Sequence, residues 1–434
     1  MHILMVVENI SRKMGGESGK SFYYMELLRE RNIEIRVICH ERVREELNQE
    51  FAEDPEQLNK IHFIEDTWYQ VLVWQIGKRF PYRIQDLIFN QIIHWITQFQ
   101  ARKQAKKLIA QHDIDLIFEP APITPKGLSF MYNMEIPVVI GPLSGGLDFP
   151  RAFKYLDSKL SRVSVKLGRQ FSGILHQLIP GKLKADALIV ANQQTEAALP
   201  KGCQGKRYSL IESGVHIEKW PPKKYNTSQS NQTTRFIYVG RLVDWKGVNF
   251  LISAFQEVVQ NIDAVLEIVG HGLLQPQLEQ QVKQLGLQDR VRFHGQQPQV
   301  MVSQFLQESD VFVLPALREA GGNAILEAMA TGLPVIAANW AGPAQVVEAD
   351  CGILVDPDSP EQFTAGLAQA MIKLAENPQL RQQMGQSATQ QVYQRYLNWD
   401  SKCDRIIEIF SETLGQQYQT TQEKTPLQQE ISAA

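Results

Sequence analysis

What most constrains this chain is a repeated alternation of short β-branched apolar runs with glycine- or proline-marked turns and helix-length segments. In the first half, His2 to Val7 leads into the turn Gly15-Gly16-Glu17-Ser18-Gly19, a helical stretch Phe22 to Leu28 and a second run Ile33 to Ile38. Leu116 to Phe118, Pro137 to Ile140 and Ala187 to Val190 repeat the theme. Apolar runs this short, with no polar alternation, read as strands buried on both faces, which implies a parallel sheet with helical crossovers. The pattern stops at Pro221-Pro222-Lys223-Lys224 and the polar stretch Tyr225 to Thr234, which reads as a linker. It restarts with Phe236 to Val239, the helix Val248 to Val259, and the runs Val265 to Val269, Val291 to Phe293, Val311 to Leu314 and Val335 to Ala338. Two α/β domains, each Rossmann-like and doubly wound, are expected, one over 1–220 and one over 235–390. A helix-like stretch Pro360 to Ala375 lies in the second. The segment 391–415 should hold an amphipathic helix from Trp399 to Leu414 that crosses back to the first domain, and 416–434, rich in Gln, Thr and Ser, is expected to be a disordered tail.

Composition excludes several classes. A chain of 434 residues, 44% hydrophobic and 21% charged, can bury large cores and is neither fibrous nor disordered. A net charge of −3 offers no global field for nucleic acid, and no nucleic-acid partner is expected. That average hides an asymmetry: residues 1–215 carry 28 Lys+Arg against 24 Asp+Glu, and residues 216–434 carry 16 against 23. Cys39, Cys203, Cys351 and Cys403 form no CxxC pair, which fits a reducing compartment better than a zinc site or a disulfide scaffold. His2 to Val7 meets Glu8 too soon for a secretory leader, and no run of 18 apolar residues exists, so a cytoplasmic chain that does not span a membrane is expected. The sequons at Asn9, Asn226 and Asn231 then carry no meaning.

Two stretches of the second half carry chemistry. Gly240-Arg241-Leu242-Val243-Asp244-Trp245-Lys246-Gly247 stands where a strand ends and a helix begins, the place where open α/β sheets bind ligands and free N–H groups face anions. A planar guanidinium and a mobile ammonium suit a diphosphate; the alternative is two surface cations beside a turn. Glu319-Ala320-Gly321-Gly322-Asn323-Ala324-Ile325-Leu326-Glu327 follows the run Val311 to Leu314, with small residues that let a ligand approach backbone N–H groups. A carboxylate at each end can accept pairs of hydroxyl donors; the alternative is helix-start acids favoured by the dipole.

Together these stretches resemble the family 4 retaining glycosyltransferases, also described as glycosyl transferases group 1, which have the GT-B fold: two Rossmann-like domains facing each other across a cleft. The resemblance runs through Gly240-Arg241-Leu242 with Lys246-Gly247, Val269-Gly270-His271-Gly272, Phe293-His294-Gly295, Ser309-Asp310-Val311, Glu319 and Glu327, and on to Gly332-Leu333-Pro334-Val335. In the first domain it is confined to Gly15-Gly16, Ala185-Asp186-Ala187 and Gly214-Val215-His216. It implies catalytic roles for Arg241 and Lys246 on the donor diphosphate and for Glu319 on the donor sugar. Gly240, Gly270, Gly321, Gly322, Asn323 and Ala324 would contact the donor, Glu327 the ribose, and Arg292 to Gly295, including His294, the nucleobase. Gly15 and Gly16 would close over the donor from the other domain. Retention is explained in the family by same-face attack, with the leaving phosphate taking the acceptor's proton.

The sequence departs from the family in two places. Gly321-Gly322 stand where an aromatic residue and a glycine are common. No histidine occurs at Phe118-Glu119-Pro120 or in Ile140 to Gly146, so no catalytic histidine is assigned. Ser144, Gly145, Gly146 and Asp148 are the acceptor candidates, against a plain tight turn. No metal is expected, because neither Asp113-Ile114-Asp115 nor Asp356-Pro357-Asp358 resembles a metal-binding acid pair, and the two cations would neutralise the diphosphate. No cofactor is expected beyond a nucleotide sugar as co-substrate. The stripe Phe153, Leu156, Leu160, Val163, Leu167, Phe171, Ile174 and Leu178 is flanked by Arg151, Lys154, Lys159, Arg162, Lys166 and Arg169, so Arg151 to Leu178 reads either as an anionic-membrane contact or as an ordinary packed helix. The aromatic region Trp68 to Trp74 favours the membrane. The expected activity is transfer of a hexose-type sugar from a nucleoside-diphosphate sugar to a carbohydrate, glycolipid, polysaccharide-precursor or other lipid-linked acceptor, in the cytoplasm or peripherally at the membrane face. The alternatives are a non-catalytic nucleotide-sugar-binding subunit and an enzyme, transferase or epimerase, acting on a small soluble substrate.

Overall fold

A computed structural model of the chain describes residues 1–14, 16–80, 85–121, 124–156, 173–223 and 233–415. Two parallel sheets organise it, as the alternating pattern requires. The first has seven strands: β1 His2–Val6, β2 Glu34–His40, β3 Ile61–Ile64, β4 Leu116–Glu119, β5 Val138–Leu143, β6 Ala187–Val190 and β7 Lys206–Ser209, in the order β3-β2-β1-β4-β5-β6-β7. The second has six: β8 Thr234–Val239, β9 Ala264–Val269, β10 Val291–Gly295, β11 Val311–Leu314, β12 Val335–Ala338 and β13 Gly352–Val355, in the order β10-β9-β8-β11-β12-β13. Each strand order reverses once, between β1 and β4 and between β8 and β11. At such a switch point neighbouring crossovers leave in opposite directions and open a crevice at the carboxyl ends of the strands.

The helices that matter below are α1 Gly16–Glu30, α2 Trp68–Gly77, α3 Gln91–Gln111, α4 Val248–Asn261, α5 Asn323–Thr331, α6 Pro360–Glu376, α7 Pro378–Gln394 and α8 Trp399–Thr413. Helix α4 has the apolar face expected of a crossover helix, burying Val248, Leu251, Ile252, Phe255 and Val258 at helical spacing. Central strands are buried along their whole length, as in β4, β9 and β11. Three strands have no counterpart among the apolar runs of the sequence: β3, β7 and β13. All three are sheet edges. An edge strand has one neighbour and partial solvent contact, so it needs no continuous apolar run; Lys206–Ser209 exposes all but Tyr208.

The chain divides into two compact units. The first comprises the described residues of Met1–Gly146, Lys166–Glu212 and Cys403–Thr420; the second comprises those of Leu147–Val165 and Ser213–Lys402. In the first unit the end of α8 is held by Phe410 edge-on against Phe118 of β4 at 5.0 Å, by the ion pair Arg31–Asp404, and by Glu412, which accepts from Tyr208 at 3.0 Å. In the second unit Phe153, fully buried, fills an aromatic cluster with Phe250 of α4 at 5.4 Å and Phe363 of α6 at 5.9 Å. Arg151–Leu156 is therefore a short 3-10 turn anchored on the second sheet's helices. Residues 157–172 of the basic stripe, the linker 224–232 and the tail 416–434 lie outside the described residues. At the far end of the stripe Ile174 and Leu178 are exposed. Among the described residues no helix is long and apolar enough to cross a membrane.

Candidate functional site

Of the sequence-predicted donor residues, those of the second unit gather at the carboxyl ends of four adjacent strands. Arg241 and Lys246 follow β8, Gly270 follows β9, His294 lies in β10, and Glu319 to Glu327 follow β11. The loops after β8 and β11 flank the switch point and are tied together there. The Leu317 amide donates to the Trp245 carbonyl at 2.8 Å, and the Lys246 ammonium forms an ion pair with the Glu319 carboxylate. Both side chains are mostly buried, at 14% and 18% exposed, so the pair is shielded while the crevice still admits a ligand. The other Glu319 oxygen accepts from the Gly322 amide at 3.3 Å, and the Glu319 carbonyl accepts from Gly342 at 3.0 Å. The carboxylate is thus positioned from three sides.

Two glycines make this approach feasible. Gly247 sits at φ +69°, and a Cβ there would lie 2.2 Å from the Pro315 carbonyl oxygen, so any side chain would push apart the two loops that carry Lys246 and Glu319. Gly322, at φ +66°, caps the N-terminus of α5, leaving the first amides of that helix, from Asn323 and Ala324, without intrahelical partners. Gly321 and Gly322 are themselves buried, whereas Asn323 is exposed. Arg241 is exposed, with its guanidinium 5.8 Å from the Trp245 ring centre and its carbonyl accepting from the Tyr238 hydroxyl at 2.9 Å. A charged fork free to move and an ammonium already paired are complementary tools for an anionic ligand.

Glu327, on the second turn of α5, has no ion-pair partner among the described residues, and burial pushes its carboxyl up to about 7. If it accepts ligand hydroxyls it must do so as the carboxylate, so nucleotide affinity should rise as pH passes upward through about 7 and fall about tenfold per unit below it. The sign for stability is opposite. A carboxyl raised from 4.5 to about 7 binds its proton more tightly in the folded chain, so its contribution declines as pH rises across that interval. Calorimetric titration of UDP-, GDP- and ADP-sugars, whose diphosphates have no group ionising between roughly pH 6 and 8, should show the slope over that range in the wild type and a flat profile in Glu327→Gln. A slope that persists in the variant removes Glu327 from the binding site.

One functional candidate was not singled out by sequence reasoning. Glu267, in the middle of β9 and 5% exposed, accepts from His294 Nε2 at 2.6 Å and pairs with Arg292 at 3.3 Å and Arg235 at 3.4 Å. His294 also packs on Phe305 at 4.4 Å between ring centres. Glu267 therefore fixes the ring expected to face a nucleobase. The signal was legible: a lone acid within Ala264-Val265-Leu266-Glu267-Ile268-Val269 must be paired to be buried.

In the first unit Gly15 lies outside the described residues, and Gly16 opens α1. Gly145 and Gly146 form the turn after β5; Gly145 accepts from Thr195 at 2.9 Å. The Ser144 hydroxyl is buried and has no hydrogen-bond partner among the described residues. Asp148 belongs to the second unit, where its carbonyl accepts from the Trp340 indole at 2.9 Å. Beyond these, a cavity of about 600 Å³ opens at the ends of β1, β2 and β3, lined among others by Glu8, His40, Arg42, Asp66, Trp74 and His94. The Arg42 amide donates to His40 Nδ1 at 3.2 Å, which leaves Nε2 to carry the proton toward Asp66 at 3.2 Å. Burial alone would raise the Glu8 carboxyl, but the hydrogen bond from His94 and the charges of His94 and Arg42 hold it below the usual range. Glu119, fully buried at the end of β4, is pushed up to about 7 by burial, against the hydrogen bond from Ser129 and the charge of Lys182. The order of strand ends explains the cavity, but its residues are scattered in the sequence and share no motif.

The glycosyl transferases group 1 family model matches residues 223–391, the stretch that contains all the second-unit donor candidates from Gly240 to Glu327. The chain carries a group 1 glycosyl transferase domain. Among curated relatives, N-acetyl-alpha-D-glucosaminyl L-malate synthase of Bacillus anthracis is 31% identical over 193 residues, covering 44% of this chain and 49% of the relative. The lipopolysaccharide core biosynthesis glycosyltransferase LpsD of Rhizobium meliloti is 36% identical over 160 residues, covering 36% and 44%. The chain thus spans about half the length of the curated relatives it matches. The crystal structure of HepE from Anabaena in complex with UDP and glucose superposes with a TM-score of 0.59 at 20% identity, covering 95% of this chain and 100% of that one. The group 1 domain is therefore one of two Rossmann-like domains in a GT-B fold. Among the described residues no group of three or more His, Cys, Asp or Glu could hold a metal ion.

Proposed function

We propose that the chain is a retaining, metal-independent glycosyltransferase that moves a hexose-type sugar from a nucleoside-diphosphate sugar to a lipid-linked, glycolipid or polysaccharide-precursor acceptor. The observation that carries this reading is the Lys246–Glu319 pair at the switch point of the second sheet. An arriving diphosphate competes with Glu319 for the Lys246 ammonium and recruits Arg241, which stabilises the charge that develops on the leaving nucleotide. Glu319, released from the ion pair but still held by the Gly322 amide, then accepts hydroxyls of the donor sugar. The N-terminus of α5 offers its free amides to the phosphate and sugar oxygens. Glu327 takes the ribose, and His294, oriented by Glu267, borders the base. With no carboxylate or histidine assigned as general base, the departing phosphate oxygen receives the acceptor's proton.

The acceptor class is supported by the name of the Rhizobium relative, which acts in lipopolysaccharide core biosynthesis. The reading places the chain in the cytoplasm and, when the acceptor is lipid-linked, at the membrane face. Nucleotide release from a panel of UDP-, GDP- and ADP-sugars tests it. One donor should be turned over, with EDTA without effect and with the donor's anomeric configuration kept in the product by NMR. Nucleotide binding with no release from any donor would make the chain a binding subunit. Inverted product or loss of activity in EDTA would overturn the mechanism.

A further inference from the structure

Helix α2 is turned inside out. Of its two glutamines Gln70 is buried and Gln75 is exposed, while Trp68 is 77% exposed, Leu72 46%, Trp74 43% and Ile76 41%. This orientation is imposed rather than slack. Thr67 and Gln70 form a reciprocal capping box, and the Gln70 amide donates to Thr97 of α3 at 3.0 Å, so the Gln70 side of the helix must face inward. A glycine at the end of the helix, Gly77, packs directly on Phe89, which fixes the same rotation. Water-facing helices bury apolar side chains; a helix that anchors through Gln70 and presents Trp, Leu and Ile outward is built for another surface.

Charge identifies that surface. From Thr67 to His112 the sequence holds seven Lys+Arg against a single acid, Asp86. Lys78 and Arg79 directly follow α2, both exposed, and the Lys78 ammonium lies 3.3 Å from the centre of the Trp74 ring. Tryptophan and tyrosine favour the layer between headgroups and acyl chains, and a basic rim is complementary to anionic headgroups. We propose that the outer face of α2 docks into the interfacial layer of an anionic lipid bilayer. Val71 and Trp74 belong both to this face and to the lining of the cavity at the ends of β1 to β3, which also holds Glu8, Arg42 and Asp66. Docking there brings the cavity to the level of the headgroups, where the polar part of an amphiphile enters it without leaving the membrane. Docking does not depend on sugar transfer, and its test reads binding alone.

The full chain is sedimented with vesicles of phosphatidylcholine and with vesicles carrying about a third phosphatidylglycerol. Wild type should bind the anionic vesicles, and Trp68→Ser with Leu72→Ser should weaken binding about tenfold or more. Lys78→Glu with Arg79→Glu should remove the preference for anionic over neutral vesicles. All four positions are exposed, so thermal midpoints should stay unchanged; if the apolar pair unfolds the chain, the charge pair carries the test. No binding by wild type, or equal binding by both variants, overturns the proposal. So does a wild-type dimer that the apolar pair converts to monomer, which would make the face a self-association site.

Discussion

Replacing Lys246 by alanine lowers kcat/KM for the nucleotide-sugar donor by about a thousand-fold, the scale seen when one preorganised charge-stabilising group is removed from an active site. The expectation rests on where the ammonium sits. It is mostly buried, it lies at the switch point between β8 and β11, and its partner is the carboxylate expected to bind the sugar. Glu319→Ala should be comparably damaging. The two losses should not add, because each variant already breaks the pair and leaves the other charge uncompensated. The double variant is thus expected within about tenfold of the worse single one, by the same logic that makes concerted catalytic groups non-additive. Steady-state kinetics across the cycle, with thermal midpoints recorded alongside, decide the matter. Unchanged turnover in either single variant would refute the site.

The largest structural effect is expected from Phe153→Ala. This ring is fully buried between Phe250 and Phe363, in edge-on contacts at 5.4 and 5.9 Å. Removing a buried phenylalanine leaves a cavity and costs about 3–5 kcal/mol when the surroundings cannot collapse. Helix α4 joins β8 to β9, and α6, which follows the last strand, packs on α4 and the sheet, so little collapse is available. Chemical denaturation should show the loss in the transition of the second unit, and limited proteolysis should begin within 147–156, because that segment has lost its anchor. Phe153→Leu should fall between wild type and alanine. A loss under about 1 kcal/mol would mean that the segment is not held by this ring.

Both predictions touch places where sequence and structure part company. The periodicity around Phe153 reads as the start of a long amphipathic stripe running to Leu178, yet the ring is spent on an aromatic cluster of the second unit. A three-and-four spacing reports that one face is apolar; it carries no information about which distant face receives it. Lys246 and Glu319, 73 positions apart, are the converse case. Each was legible as a candidate because it followed a strand run and a small-residue turn, and parallel strands deliver such turns to one edge of the sheet. That they touch is a consequence of strand order, which local pattern does not encode.

The first unit shows the same division more sharply. Its buried strands are plain in the sequence, but the cavity lined by Glu8, His40, Arg42, Asp66 and His94 is assembled from three strand ends and a long helix, with no motif among them. Helix α2 is plain as an aromatic region, whereas its inverted orientation follows from one buried glutamine bonded to Thr97.

By itself, then, the sequence determined two parallel α/β domains, because buried strands must be apolar on both faces, and it marked the loops where donor chemistry is expected, because glycines and cations stand there at strand ends. Edge strands, the pairing of Lys246 with Glu319, the burial of Glu267 and the anchoring of Phe153 were decided only by tertiary structure. Each depends on which surfaces meet across tens of residues, and that is set by packing over the whole sheet rather than by any local preference of the chain.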